Sequence, residues 1–193
     1  MSIKVRLIIM NFLQFAVWGA YLTSMGSYLV NVGLAEHIGM FYAMQGIVSL
    51  FMPAILGIIA DRWIPAQKLL SFSHFTAALF MAIAGYYGMT KGADVNFGTL
   101  FSFYSLSVAF YMPTLALSNS VAYTALDKAG LDTIKTFPPI RIFGTIGFIC
   151  SMWVVDLLGL QNNYGQFFAC ALIGVFYGVY APVSYTHLTL PTT

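Results

Sequence analysis

Charge is what this chain of 193 residues has least of. Lys, Arg, Asp and Glu together make up 7% of it, against roughly 25% in an ordinary soluble domain. Too few polar groups remain to cover even a small globule in water, which excludes a soluble folded domain. The net charge of +2 offers no basic patch, and no nucleic acid is expected as a partner. Cysteine is scarce too. Cys150 and Cys170 both lie in apolar runs without the paired spacing of a metal site, and they read as small core residues. No metal-ligand cluster, phosphate-binding glycine loop or nucleophile–base pair is present, so no cofactor is implied and an enzyme would lack its chemistry. Nothing resembles a cleaved signal peptide either. The first apolar run after Lys4 and Arg6 is too long for an h-region and reads as a spanning helix.

What the chain has instead is hydrophobic length, with 60% of its residues apolar. A helix needs about 20 mostly apolar residues to cross a hydrocarbon core of roughly 30 Å. Six stretches qualify: 7–30, 38–60, 68–90, 96–120, 137–157 and 163–182. Polar connections separate them, at Asn31 to His37, Asp61 to Gln67, Lys91 to Asn96, Asp127 to Thr136 and Gly159 to Asn163. Short links of this kind make antiparallel neighbours. The helices are apolar almost all round, as membrane helices are. The expected fold is therefore an all-α membrane protein, a six-transmembrane-helix bundle over residues 1–181. Residues 182–193 read as neither a basic loop nor a continued helix, and a non-native or truncated tail is expected there.

Lysine and arginine set the expected orientation. With the N-terminus in the cytoplasm, Lys4, Arg6, Arg62, Lys68, Lys128 and Lys135 fall on the inner side and only Lys91 falls outside. The lipid bilayer is thus an expected partner along every span, and composition points to an α-helical membrane, not a β-barrel.

Several groups inside the spans invite a role. Gly57-Ile58-Ile59-Ala60-Asp61-Arg62-Trp63 joins the second and third spans. Gly57 would let a helix approach closely, Asp61 suits a helix N-terminus and Arg62 a lipid phosphate or a partner across the bundle. An ordinary polar turn fits the same residues. Phe137-Pro138-Pro139 is expected to open the fifth span, with Pro138 and Pro139 presetting its first turn. Arg141, Thr145 and Phe148 follow at spacings of four and three, so they share one face. Arg141 lies about 22 Å from Asp156 along a helix, well inside the inner interface. Two accounts fit it: a side chain snorkelling to the surface, or a donor in a water-filled cavity that binds a polar solute, with Thr145 orienting and Phe148 stacking on a planar ring. In the first span Gln14, Trp18 and Tyr21 form a polar and aromatic stripe with Asn11 nearby, and Asn119 and Tyr123 are their counterparts in the fourth. A solute path and interhelical hydrogen bonding both suit such a stripe. His74 reads as a satisfied core group, and Glu36 and Asp156 as solvated outer residues.

Two sets of motifs bring in a family. Gly57-x-x-x-Asp61-Arg62 resembles the loop signature of the major facilitator superfamily, whose members have two six-helix halves. More specifically, the chain is similar to bacterial nucleoside:proton symporters of the nucleoside and xanthosine permease group. The matching stretches are Asn11 to Phe15 with Trp18-Gly19, Phe51-Met52-Pro53-Ala54 running into Gly57, Ala109 to Leu115, and above all Phe137 to Phe148 with Met152 to Val155. The likeness covers residues 5–180. It implies proton-coupled uptake of nucleosides across the bacterial inner membrane by alternating access, with nucleoside and protons as partners. It associates Arg141, Thr145 and Phe148 with the nucleoside, and Gln14 and Trp18 are added as substrate-binding candidates from the first span. The family's second six helices are absent here, so the chain is expected to be the N-terminal half, a fragment needing a C-terminal six-helix partner. The nearest alternative keeps the fold and exchanges the solute for a sugar or another small polar metabolite. A membrane sensor or scaffold would bind a partner and move nothing.

Overall fold

The computed structural model describes the backbone of residues 2–186 and the side chains of residues 2–182. Among the described residues seven α-helices follow one another: α1 (Ile3–Gly19), α2 (Met25–Asn31), α3 (Ile38–Arg62), α4 (Ala66–Lys91), α5 (Phe97–Lys128), α6 (Thr133–Leu157) and α7 (Gly165–Thr186). A short 3-10 turn, Ala35–His37, precedes α3. Five helices, α3 to α7, are each long and apolar enough to cross a membrane. The two short helices α1 and α2 run in series and make the sixth crossing, so the expected six-span bundle is what forms. The last helix continues to Thr186, five residues beyond the expected end of the bundle at 181; the rest of the expected tail, 187–193, lies outside the described residues.

The first crossing is interrupted between Ala20 and Ser24. Backbone that leaves the regular helical pattern inside a membrane must find its partners in the protein: Leu22 N–H reaches the Trp18 carbonyl, Met25 N–H the Tyr21 carbonyl, the Leu22 carbonyl accepts from Tyr42 Oη at 2.8 Å, and a side chain from α7 braces Ser24. Gln166, fully buried, donates from Nε2 to the carbonyls of Ser24 (3.4 Å), Gln161 (3.1 Å) and Asn163 (3.2 Å), while its Oε1 accepts from the Ser24 hydroxyl at 3.0 Å.

Helix ends are set by local chemistry. Asp132 caps α6, its Oδ1 accepting from the backbone N–H groups of Ile134 (3.0 Å) and Lys135 (3.2 Å). Such a cap satisfies donors that no helical carbonyl can reach. Asp132→Ala is accordingly expected to cost about 1 kcal/mol, measured as a lowered midpoint of thermal unfolding in detergent. Just upstream, α5 ends on Gly130 at φ 66, with Leu131 N–H reaching the Leu126 carbonyl and Gly130 N–H the Asp127 carbonyl. That paired closure needs a left-handed residue, which glycine adopts without penalty, and it turns the chain sharply into α6.

One correction concerns the prolines. The expected helix start at Phe137 is displaced to Thr133, so Pro138 and Pro139 sit in the second turn of α6. The Asp132 cap, an ordinary N-cap signal, nucleates the helix earlier than apolar content alone suggested.

The helices pack in an open row. α1 lies against α6 and α7, α7 against α4, α4 against α5, and α5 against α3. Two apolar cores fill the space, one toward each end. The first contains Tyr21, Tyr28, Phe41, Met81, Tyr104, Val155 and Phe167. The second contains Leu7, Leu56, Leu70, Leu126, Ile140 and Tyr177. Polar cross-links stitch the row, such as Ser107 Oγ to the Ala77 carbonyl (2.7 Å) and Tyr180 Oη to the Arg6 carbonyl (3.3 Å). Lys4, Lys68, Lys128 and Lys135 gather at the end of the bundle where the first crossing begins, and Lys91 lies at the other.

Coverage is uneven. Half of the apolar stretch is buried in each of α4, α5 and α7, against 28% in α6 and 17% in α3. These two helices stand at the ends of the row, with open flanks, and the candidate site is on one of them.

Candidate functional site

The close seating of α6 on α1 is made by glycine. A Cβ at Gly147 would run into the carbonyl of Phe12, and one at Gly19 into the carbonyl of Phe148, so the two backbones touch where these residues have no side chain. The third glycine of the contact, Gly144, is filled over by two groups: a Cβ there would lie 2.6 Å from the Phe15 ring and 2.9 Å from Arg141 Nη1. Small residues are how membrane helices reach this separation.

With α6 pressed against α1, the residues one face over are brought into a single arrangement. The Arg141 guanidinium lies over the ring of Phe15, its Cζ 3.8 Å from the centroid. Phe15 meets Trp18 at 6.3 Å, and Trp18 meets the Phe148 ring edge-on at 6.0 Å and 82°. An aromatic row thus runs along the α1–α6 seam with a cation at one end. Cation–π contact holds the guanidinium plane still and leaves its outward N–H groups free for another acceptor.

Arg141 borders an open cleft of about 520 Å³, lined with it by Phe137, Pro138, Ile142 and Thr145. Arg141 is half-buried and Thr145 is exposed. Two of the three residues expected to share a face therefore line one cleft; Phe148, half-buried, stands farther along the helix against Trp18. Pro138 lines the cleft as well, while Pro139 is exposed. The floor is Phe137, packed at 4.6 Å and 68° on Tyr123 of α5.

Gln14 is fully buried beneath this row. Its Nε2 donates to Thr114 Oγ1 at 2.9 Å, its carbonyl accepts from Tyr111 Oη at 2.6 Å, and its Oε1 has no partner. Asn11 is similar, with Nδ2 on the Leu7 carbonyl at 3.0 Å and a free Oδ1. His74 is stacked on Tyr177 at 4.0 Å and bonded through Nδ1 to the Leu70 carbonyl at 3.0 Å; it lies deep in the core as expected, but its Nε2 has no partner, so it is only half satisfied. Glu36 is exposed and pairs with His37 at 3.4 Å.

The Gly57–Arg62 segment sits apart from the α6 cleft. Gly57, Ala60 and Asp61 line a second cleft of about 210 Å³ between α3 and α5, together with Pro53, Pro113 and Ser120. The close approach expected at Gly57 is not made by the described residues, since nothing lies within 4 Å of a Cβ built there; the glycine faces that cleft. Asp61 and Arg62 are both exposed.

Sequence reasoning missed three contributors: Phe15 under Arg141, and Gln45 and Tyr104 behind Trp18. Gln45 had a usable signal, a single amide in an otherwise apolar stretch from Ile38 to Ser49. Phe15 had none, because one phenylalanine among 17 does not advertise a cation above it.

Comparison with known proteins decides the family. The chain matches the sequence family described as Nucleoside H+ symporter over residues 1–193. It belongs to that family. Among its relatives are the xanthosine permease of Escherichia coli K12, 39% identical over 99% of this chain, and the nucleoside permease NupG of the same strain, 37% identical over 99%. The crystal structure of nucleoside transporter NupG superposes with a TM-score of 0.85 over 95% of this chain at 36% identity, and that of its D323A mutant with 0.87 over 98%. This member of the nucleoside H+ symporter family spans 43% of the length of either permease and 44% of either crystallised chain. Its relatives are permeases and transporters, not enzymes, and its fold is the six-helix half-bundle of such proteins.

Proposed function

We propose that the protein containing this chain takes up nucleosides together with protons across the bacterial cytoplasmic membrane, and that the α6 cleft supplies one wall of the nucleoside site. The observation that carries the reading is Arg141: a charged side chain well inside a spanning helix, seated over the ring of Phe15 and lining an open cleft beside Thr145. The hydrocarbon core offers such a group nothing, whereas a nucleoside offers carbonyl, ring-nitrogen and hydroxyl acceptors. Arg141 and Thr145 hydrogen-bond the polar edges of base or ribose, Phe148 and Trp18 pack on the base, and Gln14 holds the seam from below with its Oε1 free for a further polar contact. The family and the names of its relatives support a nucleoside as the solute.

A second bundle completes the site. The uncovered flanks of α3 and α6 suit a C-terminal six-helix half docked across them, with this chain as the N-terminal half, its N-terminus in the cytoplasm and the Lys4, Lys68, Lys128 and Lys135 end facing inward. The Gly57–Asp61–Arg62 segment at that end borders the second cleft and serves the conformational change; Pro138 and Pro139 shape the entrance of the first.

The test is uptake of radiolabelled uridine and adenosine by the full-length protein in a host lacking its own nucleoside permeases, with and without a protonophore. Uptake is expected to fall at least about tenfold with the protonophore, since a collapsed proton gradient removes the driving force, and to be competed by unlabelled nucleosides but not by hexoses. Competition by hexoses, with no nucleoside uptake, would replace the nucleoside by a sugar.

A further inference from the structure

Trp18 is the only ring of the aromatic row with a polar handle, and that handle is held from behind. Its indole N–H donates to Gln45 Oε1 at 2.9 Å. Gln45 Nε2 in turn donates to the Tyr104 hydroxyl at 2.8 Å, and that hydroxyl donates to the Phe41 carbonyl at 3.2 Å. One relay therefore joins α1, α3 and α5. Gln45 is 7% exposed and Tyr104 0%.

The relay has a direction. If the Gln45 amide were turned over, an N–H would face the indole N–H, and the tyrosine hydroxyl would have to give up the Phe41 carbonyl to donate to the glutamine oxygen. Tyr104 is itself wedged between the rings of Phe41 at 5.0 Å and Tyr21 at 6.0 Å. Every polar atom in the line has its partner, and in a membrane interior the loss of any one strands the next. Far more is built here than is needed to bury a tryptophan. On its other side, Trp18 presents its ring to Phe148 at 6.0 Å and to Phe15 at 6.3 Å, and Phe15 carries Arg141.

We infer that Gln45 and Tyr104 are positioning residues for the solute site: they set the rotation of the Trp18 ring and, through it, the seat of Phe148, without touching the solute. The inference rests on the reading of Arg141, Thr145 and Phe148 as the nucleoside site. Removing the acceptor at Gln45 frees the indole N–H to seek another, the ring swings, and Phe148 loses the wall that fixes it. Affinity for the nucleoside falls, while the translocation step, which depends on neither side chain, keeps its rate.

The test is uridine uptake by the full-length protein as wild type and as Gln45→Met, Gln45→Glu, Tyr104→Phe, Trp18→Phe and the Trp18→Phe/Gln45→Met pair, all scaled to membrane abundance. Methionine keeps the length of glutamine without its hydrogen bonds, and glutamate keeps the acceptor for the indole. Gln45→Met is expected to raise KM about tenfold with Vmax within about twofold, the loss of a buried hydrogen bond and its stranded partner. Gln45→Glu is expected to restore most of the affinity, and Tyr104→Phe to raise KM in the same direction by less. In the Trp18→Phe background, Gln45→Met is expected to add nothing, because its effect passes through the indole. An unchanged KM in Gln45→Met, a loss confined to Vmax, or losses that multiply in the double variant would overturn the inference and leave the relay as helix-to-helix bonding. If Gln45→Met fails to reach the membrane, an unchanged KM in the isosteric Tyr104→Phe overturns it equally. Wild-type protein that takes up no nucleoside would remove the proposed substrate and this inference with it, an outcome distinct from the others.

Discussion

Replacing Arg141 by alanine is expected to lower Vmax/KM for uridine by roughly 30- to 100-fold, the loss of one or two charge-assisted hydrogen bonds, while membrane abundance stays near that of wild type. The expectation follows from what the guanidinium touches. Its contact inside the protein is the face of Phe15 at 3.8 Å, and the ion pairs among the described residues are His37–Glu36 and Lys135–Asp132, so no carboxylate depends on it for neutralisation. Folding therefore loses little, while a solute in the cleft loses its donor. Arg141→Lys is expected to recover only part of the uptake, since an ammonium neither lies flat on the ring nor offers a planar fork of donors. If Arg141→Ala transports as well as wild type, the guanidinium is a snorkelling group and the cleft binds nothing through it.

The second large effect is expected at Gly147. Its Cβ position coincides with the carbonyl of Phe12, and backbone cannot step aside as a side chain can. Gly147→Leu must push α6 off α1 along the seam that also holds Gly19 and Gly144, at a cost of about 3 kcal/mol or more. The expected result is loss of monodisperse protein in detergent, or a midpoint of thermal unfolding lowered by several degrees, accompanied by loss of uptake. The smaller Gly147→Ala carries the same Cβ and is expected to move the same readouts in the same direction by less. A Gly147→Leu protein as stable and as active as wild type would contradict the close α1–α6 contact.

Much of the fold was legible because membrane helices declare themselves by length. The stretches at 38–60 and 68–90 match α3 and α4 to within two residues at each end. The errors came where hydropathy and hydrogen bonding disagree. α5 runs eight residues past the expected 120, because Tyr123, Thr124 and Asp127 look like a loop by polarity yet stay helical until the glycine closure at Gly130. α6 starts four residues before the expected 137, because Asp132 caps it. The interruption at Ala20–Ser24 was invisible, since the residues that brace it, Tyr42 and Gln166, are distant in sequence.

The site was legible in the same uneven way. Helical spacing put Arg141 and Thr145 on one face, and they do line one cleft. Spacing along a single helix could not say what stands opposite each side chain. That Phe148 rests on Trp18, that Arg141 rests on Phe15, and that Gln14 bonds Thr114 are consequences of how α1 docks on α6 and α5. Docking of that kind is set by Gly19 and Gly147, whose meaning appears only when the partner backbone is in place.

The central claim, that this bundle forms one wall of a proton-coupled nucleoside pathway, is tested most directly with the full-length protein purified into liposomes. An acid-outside pH gradient is imposed, the membrane potential is clamped to zero, and internal uridine is followed over time. The account predicts accumulation above the external concentration that collapses when the gradient is dissipated, and that is strongly reduced in Arg141→Ala. Uridine that merely equilibrates regardless of the gradient, or never enters, would contradict it.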